Sequence, residues 1–268
     1  TKIAYFSDIE GKEAIWISDR DGTHARKFLD WNGSRQIDPD WSPDGESIVF
    51  ASDRDAKEFN LWRVDVDGKN PRQLTAEAGH NSNPRYAPDG RYILFLSNRT
   101  GVSELWLMDP QNRRQQALGL QGRAARSPSW SPDGRSVVYS SCAPLPNGSS
   151  LEDLKCTLYK TDISARYTKD PTMGTAVALT DGRFVDDDPD WEKPGIFFIR
   201  DHCLWLAPAD GRNPHAIQKN CDAMIDSPKW DPHSGRIFYS KFKGDMAIWS
   251  SDLSGREAPV TKLAKKHQ

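Results

Sequence analysis

A short phrase built from proline, an aromatic residue and Asp-Gly recurs along this chain, about 45 residues apart in its first three copies. The clearest copies are PDWSPDG at Pro39–Gly45, PRYAPDG at Pro84–Gly90 and PSWSPDG at Pro128–Gly134, and the weaker ones are PDWEKPG at Pro189–Gly195 and PKWDPHSG at Pro228–Gly235. A repeat of this period indicates that the fold uses one supersecondary unit several times. The fold prediction therefore starts from the structure of one unit.

Each unit is predicted to contain four antiparallel strands, here named a, b, c and d in chain order. The apolar run after each Asp-Gly is rich in β-branched and aromatic residues and too short for a helix. A second run with an aromatic residue follows, and then a turn such as DVDGKN (Asp65–Asn70), in which Asp-Gly suits a tight hairpin. The unit closes with a short strand that ends in a sequence such as QLT (Gln73–Thr75).

The start of the chain fits strands b, c and d of a unit, at Lys2–Asp8, Ala14–Asp19 and Ala25–Asp30. The aromatic position of strand c then occurs six times, at Trp16, Trp62, Trp106, Tyr159, Trp205 and Trp249. Four-stranded blades arranged around an axis make a β-propeller, which hides sheet edges by closing on itself. The sequence therefore predicts an all-β, six-bladed β-propeller of four-stranded antiparallel blades, in which the first blade lacks its innermost strand. We expect the repeated aromatic residues to pack between neighbouring blades.

Two segments, PDWSPDGESIVFASDRD (Pro39–Asp55) and NLWRVDVDGKNPRQLT (Asn60–Thr75), resemble the repeat of TolB-type propellers. The second and third units match closely, the fourth matches with an insertion, and the others match loosely. The resemblance covers nearly the whole chain, so one TolB-like domain is expected over residues 1–268. The missing first strand of blade 1 favours a chain cut from a longer protein, and a strand supplied by the tail after Thr261 is an alternative. The blades of this domain would lie near residues 1–31, 36–76, 81–119, 125–181, 186–220 and 225–262.

Charge and cysteine content narrow the class of protein. The 36 basic and 38 acidic residues nearly balance, which gives no indication of a nucleic-acid partner. No long apolar run is present, so we expect no direct insertion of this segment into a membrane. Four cysteines fall in two local pairs, Cys142 with Cys156 and Cys203 with Cys221, and predict two disulfides in a periplasmic or extracellular location. Four reduced, partly buried thiols are the alternative.

In a propeller, the loop from strand d of one blade to strand a of the next is expected at the mouth of the central channel. The residues just before each Pro-x-aromatic vary more than the repeat does, and they predict a ligand-binding set there: Arg35, Asp38, His80, Asn81, Arg123, Arg126, Asp186, Asp187, Asp188, Asp222 and Asp226. The basic members are expected on one arc and most of the acidic members on the opposite arc. Such an opening can hold a zwitterionic peptide end, a sugar or a cation. The alternative is that these residues only solvate a water-filled channel.

Clustered carboxylates also suit calcium, which takes roughly six to eight oxygen ligands. The candidate metal ligands are Asp186, Asp188 and Asp226. Strand alternation should turn Asp187 away from Asp186 and Asp188, so one blade cannot supply a full coordination shell. No cofactor is therefore predicted.

These features predict a non-catalytic binding or scaffold module of the bacterial envelope, such as the sensor domain of a membrane-anchored regulator. Its partner would be an envelope protein, a peptide or a glycan at the channel mouth. The sequence contains neither a Gly-x-Ser-x-Gly nor a His-Glu-x-x-His motif, so it does not indicate an enzyme. Two alternatives stay open. One is a lyase or hydrolase that uses His80 with Asp188 or Asp226 as an acid–base pair, and the other is a structural spacer beside another domain.

Overall fold

A computed structural model of the chain describes residues 2–8, 10–31, 33–76, 79–111, 114–120, 123–145, 150, 154–163, 174–218, 221–243 and 245–261. These residues form strands, turns and loops without a helix, and the strands assemble into six antiparallel sheets in chain order. The six sheets are the blades of a β-propeller, so the predicted fold class is confirmed. Among the described residues, no helix is long and apolar enough to span a membrane.

The chain forms two compact units, and the first, within Thr1–Arg123, contains blades 1 to 3. In the described part of the chain, blade 1 has three strands, as expected: β1 (Lys2–Ser7), β2 (Ala14–Asp19) and β3 (Arg26–Lys27). Blade 2 has four strands: β4 (Gln36–Trp41), β5 (Ser47–Ser52), β6 (Asn60–Asp65) and β7 (Arg72–Gln73). Blade 3 has four strands: β8 (Asn81–Tyr86), β9 (Ile93–Ser97), β10 (Glu104–Met108) and β11 (Gln115–Ala117).

The second unit, within Ala124–Leu263, contains blades 4 to 6, each with four strands. Blade 4 consists of β12 (Arg126–Trp130), β13 (Ser136–Cys142), β14 (Cys156–Asp162) and β15 (Val177–Ala178). Blade 5 consists of β16 (Asp186–Glu192), β17 (Gly195–Arg200), β18 (Cys203–Ala207) and β19 (His215–Ala216). Blade 6 consists of β20 (Met224–Asp231), β21 (Arg236–Lys243), β22 (Asp245–Ser251) and β23 (Glu257–Pro259).

Every blade places an aromatic residue of strand b directly opposite the aromatic residue of strand c. The six pairs are Tyr5–Trp16, Phe50–Trp62, Phe95–Trp106, Tyr139–Tyr159, Phe198–Trp205 and Tyr239–Trp249. Directly opposed residues of antiparallel strands have Cβ atoms about 5 Å apart, so their side chains share one face of the sheet. In the first unit, Phe50 and Trp62 of blade 2 pack in one core cluster with Ile15 and Ile17 of blade 1. The repeated rings therefore join neighbouring blades, as the sequence led us to expect.

Strand a of each four-stranded blade contains a β-bulge immediately before its proline. The register between strands a and b shifts at this point in all five of these blades. The residue before the proline has a positive φ in each: Asp38 (54°), Asn83 (47°), Ser127 (45°), Asp188 (48°) and Ser227 (51°). A bulge redirects a side chain out of the strand's alternation. The residues before the prolines therefore do not follow the two-sided pattern of an ordinary strand.

The Ser-Pro-Asp-Gly part of the phrase forms the turn between strands a and b. Ser42 Oγ donates a hydrogen bond to Asp44 Oδ1 (2.5 Å) and accepts one from the Ser47 amide (2.9 Å). Gly45 closes this turn with a φ of 73°, a conformation that a side chain would strain. The repeated phrase therefore has three structural roles. It forms a bulge at its proline, it supplies an aromatic side chain for packing, and it forms a turn that the serine side chain stabilises.

Candidate functional site

Three blades share a hydrogen bond at the end where strand a begins, which we call the polar clasp. The side chain of the residue that follows strand b accepts a hydrogen bond from the backbone amide of the residue that precedes strand a. The three bonds are Arg35 N to Asp53 Oδ1 (2.6 Å), His80 N to Asn98 Oδ1 (2.7 Å) and Val185 N to Asp201 Oδ1 (3.3 Å). An Asp or Asn after strand b therefore fixes the entry of the chain into the innermost strand.

Arg35 and His80, two of the predicted ligand-binding residues, have partners within the first unit. The Arg35 guanidinium donates to Asp53 Oδ2 (2.8 Å) and lies over the Phe59 ring, 4.6 Å from its centroid. The His80 ring lies 5.1 Å from the ring of Phe59, and its Nδ1 is 3.4 Å from a carboxylate oxygen of Glu58. The Arg35 side chain therefore stabilises its own blade, blade 2, and the His80 side chain connects blade 3 to blade 2.

Asn81 and Arg123 lie in different environments. Asn81 is fully buried, and its Oδ1 accepts a hydrogen bond from the Arg99 guanidinium (2.8 Å). Arg123 is exposed, and its backbone amide donates to the carbonyl oxygen of Leu120 (3.2 Å). The buried position gives Asn81 a packing role.

Asp38 and Asp188 connect neighbouring blades. Asp38 Oδ2 accepts the backbone amide of Asn83 in blade 3 (3.1 Å). Asp188 of blade 5 accepts the Ser227 amide of blade 6 on Oδ2 (3.1 Å) and the Ser127 hydroxyl of blade 4 on Oδ1 (2.5 Å). All five of these residues precede a proline of the repeat, so the bulge aims one blade's polar group at the next blade.

Asp186 lies in the interior of blade 5. Its carboxylate is fully buried and forms two hydrogen bonds with Arg200, from Nε to Oδ1 (2.6 Å) and from Nη2 to Oδ2 (2.9 Å). The guanidinium in turn lies over the Trp205 ring, 4.7 Å from its centroid. Both carboxylate oxygens of Asp186 therefore accept a hydrogen bond from Arg200. Across the described ranges, no group of three or more His, Cys, Asp or Glu side chains is placed to hold a metal ion.

Asp187, Asp188 and Asp226, with Arg126, form what we call the acid cluster of the second unit. Asp187 Oδ2 lies 3.1 Å from Arg126 Nη2, and its Oδ1 accepts the Asp188 amide (2.9 Å). Burial, and after it the charge of Asp188, raises the pKa of Asp187. The same two causes raise the pKa of Asp226, against hydrogen bonds from Ser240 and Ser227. The cluster contains three carboxylates and one guanidinium, so it has excess negative charge.

Two expectations about these residues are corrected. The sequence placed Arg126 on a basic arc opposite Asp187, but the two residues form a salt bridge because strands a of blades 4 and 5 are neighbours. Strand alternation was expected to separate Asp187 from Asp188, but the bulge at Asp188 breaks that alternation.

Blade 6 contains an ion pair of a buried lysine with a more exposed glutamate, which the sequence pattern did not indicate. The Lys241 ammonium lies 2.8 Å from Glu257 Oε2 and 5.0 Å from the centroid of the Trp249 ring. Asp222, which the sequence proposed as a ligand-binding residue, is exposed and lies 4.0 Å from Lys241 Nζ. Lys241 takes the place in its blade that Arg200 takes in blade 5, because each is the last core-facing residue of strand b. A basic residue at this repeat position is the signal that could have located the pair.

An open cleft of about 610 Å³ lies within the first unit. Its walls are formed by Asp30, Trp31, Gly33, Ser34, Asp53, Arg54, Asp55 and Ala56. The Arg54 guanidinium lies over the Trp31 ring, 4.2 Å from its centroid. A cation of the protein itself therefore covers the aromatic surface of this cleft.

Both predicted disulfides are confirmed. Cys142–Cys156 joins the end of β13 to the start of β14, and Cys203–Cys221 links β18 to the segment before β20. Every cysteine is therefore in a disulfide, which excludes the alternative of reduced thiols. Residues 146–149 and 151–153 of the insertion that the first disulfide brackets lie outside the described residues.

Repeated four-stranded blades, linked by bulged inner strands and by aromatic pairs, define the chain as a β-propeller built from an internal repeat. The TolB beta propeller domain family matches residues 1–174. The chain belongs to this family, and the resemblance seen in the repeat is confirmed.

Three known proteins illustrate what the chain is similar to: an uncharacterized protein, a TolB protein and a lyase. An uncharacterized protein of Agrobacterium fabrum is 35% identical over 100 residues, which is 35% of this chain and 31% of that protein. TolB from Acinetobacter baumannii has a TM-score of 0.73 at 18% identity, over 96% of this chain and 63% of that chain. Oligogalacturonate lyase from Vibrio parahaemolyticus has a TM-score of 0.63 at 14% identity, over 97% of this chain and 72% of that chain. The chain thus spans less than two thirds of the first two proteins, and the structural likeness shows the fold alone.

Proposed function

We propose that the chain is a non-catalytic binding module of the bacterial periplasm or cell exterior, and that it recognises a protein or peptide through its acid cluster. The observation that carries this proposal is the set of carboxylates around Asp188, where burial and like charge raise the pKa of Asp187 and Asp226. Membership of the TolB family and the two disulfides support the compartment, since disulfides persist in oxidising environments. The position of the cluster at the mouth of a central channel stays a prediction.

The physical argument is that excess negative charge in a partly buried place favours a cationic partner. A Lys ammonium, an Arg guanidinium or a peptide amino terminus that approaches Asp187 and Asp226 relieves the repulsion from Asp188. Charge-assisted hydrogen bonds of this kind are stronger in a partly desolvated site than at an open surface. Arg126 is half-exposed and pairs with Asp187, so the partner's cation competes with it or binds beside it.

The test uses the chain as bait in a pull-down from an envelope extract, with and without a chelator and at several salt concentrations. We expect specific partners for the parent chain, and loss of those partners when Asp187 and Asp226 are both replaced by Asn. Asp210→Asn is the matched control, because Asp210 lies on the c–d turn of blade 5 and is exposed. The control should retain the partners.

Three outcomes would contradict the proposal. One is that no specific partner is captured at any salt concentration. Another is equal capture by the parent chain and the double Asn variant. The third is substrate turnover by the isolated chain that is lost on His80→Ala, which would favour an enzyme.

A further inference from the structure

Blade 6 departs from the polar clasp of blades 2, 3 and 5. In these blades the first residue of strand a pairs with the last residue of strand b, as Gln36 does with Ser52, Asn81 with Ser97 and Asp186 with Arg200. The equivalent pair of blade 6 is Ile225 with Lys241, so the clasp positions fall on Met224 and Phe242. Phe242 therefore occupies the place where blades 2, 3 and 5 put a backbone-fixing Asp or Asn, and Met224 occupies the place of the residue whose backbone amide is bound in those blades.

Met224, Phe242 and Met246 form what we call the apolar row. Met224 is directly opposite Phe242, and Phe242 is directly opposite Met246, so the three residues cross β20, β21 and β22 in register. Directly opposed side chains share one face of the sheet and lie in contact distance. Their exposed fractions are 57%, 46% and 42%, so the row is accessible to solvent.

The row lies on the face of blade 6 opposite the face that packs against blade 5. The next residues along two of its strands, Ile225 and Lys241, turn to the opposite side and are buried, and Ile225 packs in the core cluster shared with blade 5. The three adjoining large apolar side chains of the row form a patch of the kind that marks an interaction surface.

The row adjoins the acid cluster. Asp226 follows Met224 by two residues on β20, ahead of the bulge, so the two side chains lie on the same side of the strand. Asp222 precedes Met224 by two residues and is exposed. The surface of blade 6 thus combines apolar side chains with neighbouring carboxylates.

We propose that the apolar row docks a bulky apolar side chain of a protein or peptide segment whose adjacent Lys or Arg meets Asp226. This inference rests on the proposed function, to which it adds the chemistry of the partner. The charge complementarity favours this occupant over an anionic lipid surface, which the carboxylates beside the row would repel.

The test measures the fluorescence anisotropy of labelled peptides titrated with the chain. The probe is a peptide of alternating Arg and Leu, and it is compared with peptides of alternating Arg and Ser and of alternating Glu and Leu. We expect the Kd of the Arg/Leu peptide for the parent chain to be at least about tenfold lower than that of either comparison peptide.

Two variants locate the binding to the row. Phe242→Asp restores the residue type of the polar clasp, so it should fold, and its thermal midpoint should be equal to or above that of the parent. Met224→Ser removes a second member of the row. We expect each variant to weaken Arg/Leu binding at least about tenfold. The matched control is Leu253→Ser, which removes a 46% exposed apolar side chain in the turn after β22, at the other end of the blade. Its affinity should be unchanged.

The outcomes separate this inference from the proposed function. Equal binding of the Arg/Leu and Arg/Ser peptides, or unchanged binding by a folded Phe242→Asp variant, overturns the inference. If binding of the Arg peptides does not depend on the row but is lost when Asp187 and Asp226 are both replaced by Asn, the inference fails and the proposed function survives. If binding depends on Phe242 but not on the two aspartates, the proposed function fails. Binding of the parent chain to phosphatidylglycerol vesicles that Phe242→Asp abolishes would assign the row to lipid and also overturn the inference.

Discussion

Asp38 of blade 2 accepts the backbone amide of Asn83 in blade 3, with 3.1 Å between Oδ2 and N. Asp188 of blade 5 makes the same contact with the amide of Ser227 in blade 6, also at 3.1 Å. These four residues occupy the same position of the repeat, immediately before proline, and all have a positive φ. The left-handed conformation therefore serves packing between blades, because it aims the carboxylate of one strand a at the amide of the next.

This contact predicts different effects for two substitutions at one position. Asp38→Ala removes the acceptor of the Asn83 amide and places a residue with a Cβ and no polar side chain at a φ of 54°. We expect the free energy of unfolding in urea to fall by about 2 kcal/mol. Asp38→Asn keeps an oxygen acceptor and a residue type that tolerates this conformation, so its effect should be under about 1 kcal/mol. Equal destabilisation by the two substitutions would show that the hydrogen bond does not matter.

The repeat made the blades predictable from the sequence. Its phrase located the turn that Ser42 fastens, and its aromatic positions located pairs such as Phe50 with Trp62. These features are local, since each depends on residues within one strand or one hairpin. The two disulfides were predictable for the same reason, because each joins cysteines of one blade or its following segment.

The candidate site was less predictable because it depends on the bulge. Plain alternation grouped Asp186 with Asp188, but the bulge sends Asp188 toward Ser127 and Ser227 while Asp186 meets Arg200 in the interior. The exposure of Phe242 could not be predicted either, because an apolar residue at the end of strand b has the same sequence pattern as the buried residues of that strand.

The buried pair of Asp186 with Arg200 predicts a strongly non-additive response. Arg200→Met leaves a fully buried carboxylate without its counter-charge, so we expect a loss of about 3–5 kcal/mol in the free energy of unfolding. Asp186→Leu combined with Arg200→Met removes both charges, and it should be more stable than Arg200→Met alone. Urea unfolding of the two singles and the double gives the coupling energy. Additive effects would mean that the two side chains do not interact appreciably.

Glu192 predicts a pH dependence of stability. Burial, and after it the charge of Asp190, raises the pKa of Glu192 to about 7, against an opposing effect of Lys229. In the unfolded chain a glutamate titrates near about 4.3. Between these values the folded state holds a proton that the unfolded state has released, so the free energy of unfolding falls as pH rises through this window.

The matched comparison for this prediction is Glu192→Gln, which cannot titrate. The stability of the parent chain relative to Glu192→Gln should decrease from about pH 5 to about pH 8, as measured by urea unfolding at several pH values. Parallel pH profiles for the two proteins would show that the carboxyl group titrates at the same pKa in the folded and unfolded states.

The disulfide of Cys142 with Cys156 predicts a stabilising effect that can be separated from that of Cys203 with Cys221. It closes a sequence separation of 14 residues between β13 and β14, and a loop of about 15 residues corresponds to about 3 kcal/mol of unfolding free energy. In a background of Cys203→Ala and Cys221→Ala, a reductant can break only this bond. We expect the reductant to lower the urea midpoint of this two-cysteine variant. The reductant should not change the midpoint of a variant in which all four cysteines are replaced by Ala. An unchanged midpoint in the two-cysteine variant, with reduction verified by thiol titration, would show that the hydrogen bonds between β13 and β14 already hold this hairpin without the crosslink.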